Sequence, residues 1–520
     1  MQKFLEYHAE QVKGVISGWD RLAFRGTLQW IATLNGLATF LGVRRIWLKD
    51  FMAWAKELTR MVRRSCEQTA EALGIPSIYL DSCLTDKEAL ARRTAEQLGI
   101  QSGPICRVSV VEPCYAPSVV GNRASGRLEL VMRSRKCVWE YFYFDDPQVG
   151  FGHLRLQTWA PFTVKGCLNG RHWLERDLAR EGVGRMKVGN CFRAIDNPER
   201  AQQLLDAQLA CDWPSLLSER LNRYYPVLSG LFEPQRLNYY WSAEETEWAT
   251  DVMFDNTATL DRLFPLLSRH ALMVTDSANV MRFLGQIPAG AALPRRVAGD
   301  VRGDRRRRYE GMRVKHSHGG NSVKMYNKAG NVLRVETTIN APRGFRVFRP
   351  DARGGRGEWL PMRKGVADLH RRAQVSQQCN ERYLDSLAAC PTATTLGETV
   401  TGVCSRSKGV KRGARALNPW GEKDHRLLEF LAQGQWAIQG LRNRDLALWL
   451  DCQANERPPD ERRRLSARVS RQLRLLRAHG LIRKVPKTHR YQVTEKGKQV
   501  ATLVVTASNV PSKTLMEMAA

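Results

Sequence analysis

Between residues 462 and 479 two patterns run through the same stretch and leave the chain little choice of fold. Leu465, Val469, Leu473 and Leu476 recur at helical spacing, while Arg464, Arg468, Arg471 and Arg474 fall on the opposite side. One face packs; the other is cationic. His479-Gly480 supplies a helix stop. Residues 481–485 and 490–494 then read as strands around a turn containing Pro486, and a closing helix opens at Glu495. Upstream, Leu427, Leu428, Phe430 and Leu431 give a first helix its apolar face, and residues 441–450 read as a second. Three helices and a basic hairpin therefore occupy 419–505. A linker rich in Thr, Ser, Gly and Lys precedes them at 391–418, and a tail of weak pattern follows at 506–520.

This order resembles the winged helix-turn-helix of bacterial regulators of the MarR and ArsR kind, and LLRAHGLIRKVPKTHRYQVTEKGKQV is similar to its recognition-helix-plus-wing half. The resemblance implies that the arginine helix enters the major groove of duplex DNA while the hairpin reaches the flanking backbone. Arg464, Arg468, Arg471 and Arg474 on the helix, with Lys484, Lys487 and Arg490 on the hairpin, are then the contacts. Two alternatives stand: a winged helix that binds protein, or a solvated charged face. A basic run almost free of carboxylates favours phosphate as partner.

The rest of the chain agrees with a polyanionic partner. Its formal charge is +29 and the excess recurs along the whole sequence, so nucleic acid ranks above a membrane surface. DNA is the expected ligand, with RNA beside it. No run of 18 apolar residues and no charged start leading to a cleavage site is found, so neither a spanning helix nor a secretory signal is expected. Twelve cysteines without a C-x-x-C pair read as reduced thiols of a cytoplasmic protein.

The pattern is that of an α+β multidomain protein. A mixed α/β body spans 1–200 and carries an antiparallel sheet in its strand-rich second half. A mainly helical segment spans 201–295, and a basic β-hairpin region with following helices spans 296–390. Asp20 sits at the centre of a first strand, as a functional carboxylate or a salt-bridge partner. Asp145 and Asp146 flank a turn and read as turn formers or as metal ligands. Glu244, Glu245, Glu247 and Asp251 fall where a helix is expected, as a metal-binding group or an acidic first turn. The aromatics from Trp213 to Trp248 read mostly as core. The Arg- and Gly-rich stretch 343–364 reads as a mobile, phosphate-seeking loop.

The densest constellation lies between 305 and 340. It opens with Arg305, Arg306, Arg307 and Arg308, passes His316-Ser-His318, and continues into two alternating runs across the Ala329-Gly-Asn331 turn, which predicts an antiparallel hairpin. Lys324, Tyr326 and Lys328 then share one strand face, and Arg334 and Glu336 share a face of the next. Ser322-Val-Lys-Met-Tyr-Asn-Lys328 and Leu333-Arg-Val-Glu336 are similar to the tyrosine strand and the following R-[FV]-E of rolling-circle replication initiators and related relaxases. The resemblance implies that Tyr326 nicks DNA and that Glu336 helps hold Mg²⁺ or Mn²⁺. Lys324 or Lys328 would stabilise charge on the phosphate, and His316, His318 and Asp20 would complete the metal site. Two alternatives stand here also. One is a structural hairpin in a regulator or other non-enzymatic nucleic-acid binder. The other is a ribonuclease-H-like transposase or nuclease core drawing carboxylates from Asp20, Asp146, Asp251 and Glu336.

Overall fold

A computed structural model describes residues 1–512 except 233–236, 274, 276, 287–300, 309–310, 351–356, 389–395, 408–413, 437–439 and 487. The chain is α+β, with many helices and a large mixed sheet. In order its strands are β1 (Val12–Leu28), β2 (Ser77–Leu80), β3 (Gly103–Asn122), β4 (Arg127–Asp146), β5 (Gly150–Gln157), β6 (Val164–Asn169), β7 (Arg185–Val188), β8 (Cys191–Ile195) and β9 (Tyr239–Phe254). There follow β10 (Arg302–Arg308), β11 (Gly311–His318), β12 (Asn321–Lys328), β13 (Val332–Ile339), β14 (Arg346–Arg349), β15 (Glu358–Pro361), β16 (Ile482–Lys484) and β17 (Tyr491–Val493). The helices that matter below are α1 (Phe51–Ala72), α2 (Gly170–Arg180), α3 (Leu369–Leu387), α4 (Glu422–Ala432), α5 (Asn443–Leu450), α6 (Pro459–Ala478) and α7 (Glu495–Ser508). Among the described residues no helix is long and apolar enough to cross a membrane.

Contacts divide the chain into two units, each assembled from separated segments rather than from the contiguous blocks drawn from the sequence. One unit comprises Ile16–Ala249 and Thr338–Gln374; the other comprises Met1–Val15, Thr250–Thr337 and Val375–Ala520. Strands β1, β9 and β13 each carry residues of both.

In the first unit the strand order runs β9-β1-β6-β5-β4-β3-β2, antiparallel from β1 to β3 through β6, β5 and β4, and parallel at β3 and β2. Phe51, Ala55, Val62, Cys66 and Ala70 recur at intervals of four or seven residues along α1, so one stripe of that helix is buried in the unit's main core. Tyr225 locks the neighbouring layer: its hydroxyl, with one proton to share, lies between the carbonyl oxygens of Glu140 (2.7 Å) and Leu154 (3.0 Å).

Two expectations fail in this region. Tyr239–Phe254 is one long strand, not part of a helical segment. Trp241, Glu244, Glu245 and Trp248 stand three and four apart and so imitate a helical face, yet the segment is a strand in which burial falls on every second residue at Trp241 and Ala243, shifts by one, resumes at Thr246 and is continuous from Trp248. Residues 343–364 are likewise not a loop throughout. Strands β14 and β15 pair across them as an antiparallel hairpin, although 351–356, including most of the Arg353-to-Gly357 run, lie outside the described residues.

The second unit holds the ladder β10-β11-β12-β13-β9. Between β12 and β13 the chain reverses through Ala329, Gly330 and Asn331, the first two in the left-handed region (φ 52° and 84°). Asn380 of α3 accepts from Thr337 Oγ1 (2.7 Å) and donates to Thr250 Oγ1 (3.2 Å), which ties that helix to one sheet face through buried polar groups.

Residues 419–505 follow the order read from the sequence: α4, α5, α6, then β16 paired with β17, then α7. Leu441 adds a bridge to Tyr491, giving the hairpin a third short strand (2.7 and 2.8 Å). Leu427, Leu431, Leu446, Val469, Leu473, Leu476 and Val504 form a core of their own. Helix α7 lies so close to the start of the hairpin that a Cβ on Gly497 would stand 2.0 Å from the Leu481 carbonyl oxygen, so only glycine fits.

Candidate nucleic-acid interface

Helix α6 starts at a proline, which suits a first turn whose amide hydrogens have no helical acceptor. Val469, Leu473 and Leu476 are buried on its inner side. Helix α5 is clamped across it by Asn443, whose Nδ2 donates to the Ser466 carbonyl (3.2 Å) and Ser470 Oγ (2.9 Å). Sequence reasoning missed this positioning residue, because a lone asparagine at a helix start reads only as a cap. Its effect is to fix which side of α6 faces out.

Arg462, Arg463, Arg464, Arg468, Arg471, Arg474 and Arg477 are all exposed, and none forms an ion pair with another described residue. The nearest acid on the helix, Glu461, is already held by Arg457 (2.9 Å). From 462 to 494 the sequence contains no Asp or Glu. Seven guanidinium groups therefore stand in water on one helix whose only acids, Asp460 and Glu461, sit in its first turn, an excess that costs self-repulsion unless a polyanion offsets it. On the hairpin, Lys484 is exposed and Arg490 half-buried, whereas Arg483 donates to its cross-strand partner Gln492 (3.0 and 2.9 Å). Lys487 lies outside the described residues.

The second candidate centre is on β10 to β13. Arg305 and Arg306 are exposed on β10, with Arg306 3.7 Å from Asp304. The side chains of Arg307 and Arg308 lie outside the described residues. Register pairs Arg313 with Tyr326 and Lys315 with Lys324, so these four share a face. Lys324 Nζ lies 2.6 Å from Glu336 Oε1, both buried, which places Glu336 on that face as well. Lys328 Nζ stands 5.7 Å from the centroid of the half-buried Tyr326 ring. Tyrosine, two lysines and a glutamate thus gather as the alternation requires.

The histidines do not join them. His316 pairs with Val323 in the register and therefore faces the other side, where its ring lies 5.8 Å from Tyr383; His318 points the same way and its Nδ1 meets Gln286 (2.5 Å). A metal site using His316, His318 and Glu336 together is excluded by strand parity. Burial pushes His316 down to about 4, against a weaker opposing pull from Asp304, and burial does the same to His270, whose Nε2 meets the Ser386 carbonyl (3.1 Å).

Both rings are neutral in the fold but take up a proton near pH 6.5 when unfolded. Stability is therefore full above pH 6.5 and is lost as the pH falls toward 4, by on the order of 3 kcal/mol for each ring. Urea midpoints measured from pH 7.5 to 4.5 should fall more steeply for the intact chain than for His270→Leu/His316→Phe. Parallel profiles would refute the linkage.

Two carboxylates of the alternative reading, Asp146 and Asp251, are likewise committed elsewhere. Asp146 accepts from the amides of Gln148 (2.8 Å) and Val149 (3.1 Å) and from Arg220 (3.0 Å), which marks a turn former. Burial alone would raise its pKa; these donors hold it below the usual range. Asp251 is committed to a fully buried bidentate pair with Arg334 (2.5 and 2.9 Å). Asp20, buried on β1, accepts from Asn190 Nδ2 (2.8 Å to each oxygen) and from Asn169, the residue that caps α2. Glu247 brings a carboxylate oxygen within 4.8 Å of Asp20, and Thr338 Oγ1 donates to it (3.3 Å). The two asparagines had no distinguishing sequence signal. Comparison with known protein families, with curated proteins and with solved structures finds no match to this chain.

Proposed function

We propose that this chain binds duplex DNA as a winged helix, with α6 in the major groove and the β16–β17 hairpin on the flanking backbone. The observation that carries the reading is the exposed arginine face of α6, where Arg464, Arg468, Arg471 and Arg474 stand without a described ion pair on the side opposite buried Val469, Leu473 and Leu476. A helix is the element that fits the major groove, and unpaired guanidinium groups release counterions when they meet phosphate. The rest of the basic body would hold or process a strand delivered by that docking. The test is a titration of duplex DNA across a range of salt with the intact chain and with Arg468→Ala/Arg471→Ala; equal affinity and equal salt dependence would remove the assignment.

A second reading, strand scission through Tyr326 in the manner of replication initiators and transposition enzymes, is supported by the cationic shell on its strand face. Attack by the phenol oxygen on a phosphodiester would leave a phosphotyrosine bond and a free 3′ hydroxyl, with Lys324 and Lys328 facing the developing charge. The histidines expected as ligands do not fit a divalent metal there, and Glu336 already holds Lys324. Incubation with single-stranded and supercoiled DNA, with Mg²⁺ or Mn²⁺ added, should give a covalent adduct with the intact chain and none with Tyr326→Phe. An adduct that survives the substitution assigns the nucleophile elsewhere.

A further inference from the structure

On the β14–β15 hairpin, register sets Phe348 directly opposite Trp359, with ring centroids 5.9 Å apart and planes at 66°. Both rings point outward, 51 % and 61 % exposed, while Val347 is buried on the other side. Rings of this size are normally buried in a soluble domain, and a pair side by side on a two-stranded ribbon needs an occupant.

The surroundings indicate its chemistry. Arg346 shares the outward face with Phe348, is exposed, and its Nη1 donates to the Trp359 carbonyl (3.3 Å), which holds the guanidinium beside the rings. Arg343 and Arg363 are exposed on either side of the hairpin. Alternation puts Glu358 on the opposite face, as the cross-strand partner of Arg349.

We infer that this hairpin is a stacking platform for single-stranded nucleic acid, distinct from the duplex contact proposed for α6. Aromatic faces gain from stacking only on bases that are not already stacked in a helix, and arginines alongside meet the phosphates of the same strand. A duplex would offer the phosphates but not the base faces. An apolar protein segment would use the rings but leave the arginines without partners.

Fluorescence anisotropy with labelled oligothymidylate, oligouridylate and a duplex of mixed sequence tests this on the full chain. Phe348→Ala/Trp359→Ala should weaken oligothymidylate binding about 10- to 100-fold with its salt dependence unchanged, and leave duplex affinity within about twofold. Trp359→Phe should stay within about threefold, since a phenyl ring still stacks. The oligouridylate arm decides whether the platform serves DNA or RNA. Unchanged single-strand affinity in the double variant overturns the inference, as does an intact chain that binds duplex but no single strand. A Trp359→Phe loss as large as that of alanine would overturn stacking as the cause. Failure of duplex binding with single-strand binding intact would count against the winged-helix reading alone.

Discussion

Replacing Arg468 and Arg471 together by alanine is expected to weaken duplex binding about 10- to 100-fold near physiological salt and to reduce the slope of log affinity against log salt by about 2. Both side chains lie on the exposed face of α6 and are absent from the ion pairs of the described residues, so their loss removes charge without opening the core. Alanine also favours helix slightly over arginine, which keeps α6 intact. The unfolding midpoint should therefore hold while affinity drops. Gel-shift or anisotropy titrations at three or more salt concentrations read both quantities. Weaker binding with the original slope would mean that the two arginines act by shape and not by neutralising phosphate.

The second large effect is on stability. Asp251→Asn leaves the Arg334 guanidinium, 0 % exposed, facing an amide in place of a carboxylate at two hydrogen-bonded positions. Stranding one partner of a buried pair in this way costs about 3–5 kcal/mol. Chemical denaturation should show a lower midpoint with little change in the steepness of the transition. Asp251→Leu/Arg334→Met, which removes both charges, should recover a large part of the loss because neither group is then desolvated alone. A double variant as unstable as Asp251→Asn would place the cost in packing around β9 and β13 and not in the charge.

What could be read from the sequence follows from where periodicity survives tertiary burial. Helix α6 was visible because one of its faces is wet and the other dry, so leucines and arginines sort at 3.6 residues per turn. The β12–β13 hairpin was visible because alternating runs flank a glycine turn. Strand β9 was not, since neither of its faces is uniformly exposed and its tryptophans and glutamates fall by accident at helical intervals. The β14–β15 hairpin was hidden by composition: arginine and glycine around it read as loop, while Val347 and Leu360 alone carry the alternation. The misplacement of His316 and His318 has a simpler origin. Among residues 311–318 only Met312 and Val314 are apolar, too few to mark a strand, and only the register with β12 shows which side each imidazole takes. Asp20 does stand at the centre of a strand, but its asparagine partners lie 149 and 170 residues away in the chain.

The interleaving of the two units bears on how such a gene can change. One unit is written in three pieces and the other in two, with the four joins falling inside β1, β9, β13 and α3, so a crossover at any of these points would splice part of one element from one parent to the rest of it from another. The stretch from α4 to α7 is different, since its core comes from neighbouring segments of the chain. Recombination can exchange that end as one piece while the remainder is inherited as a whole.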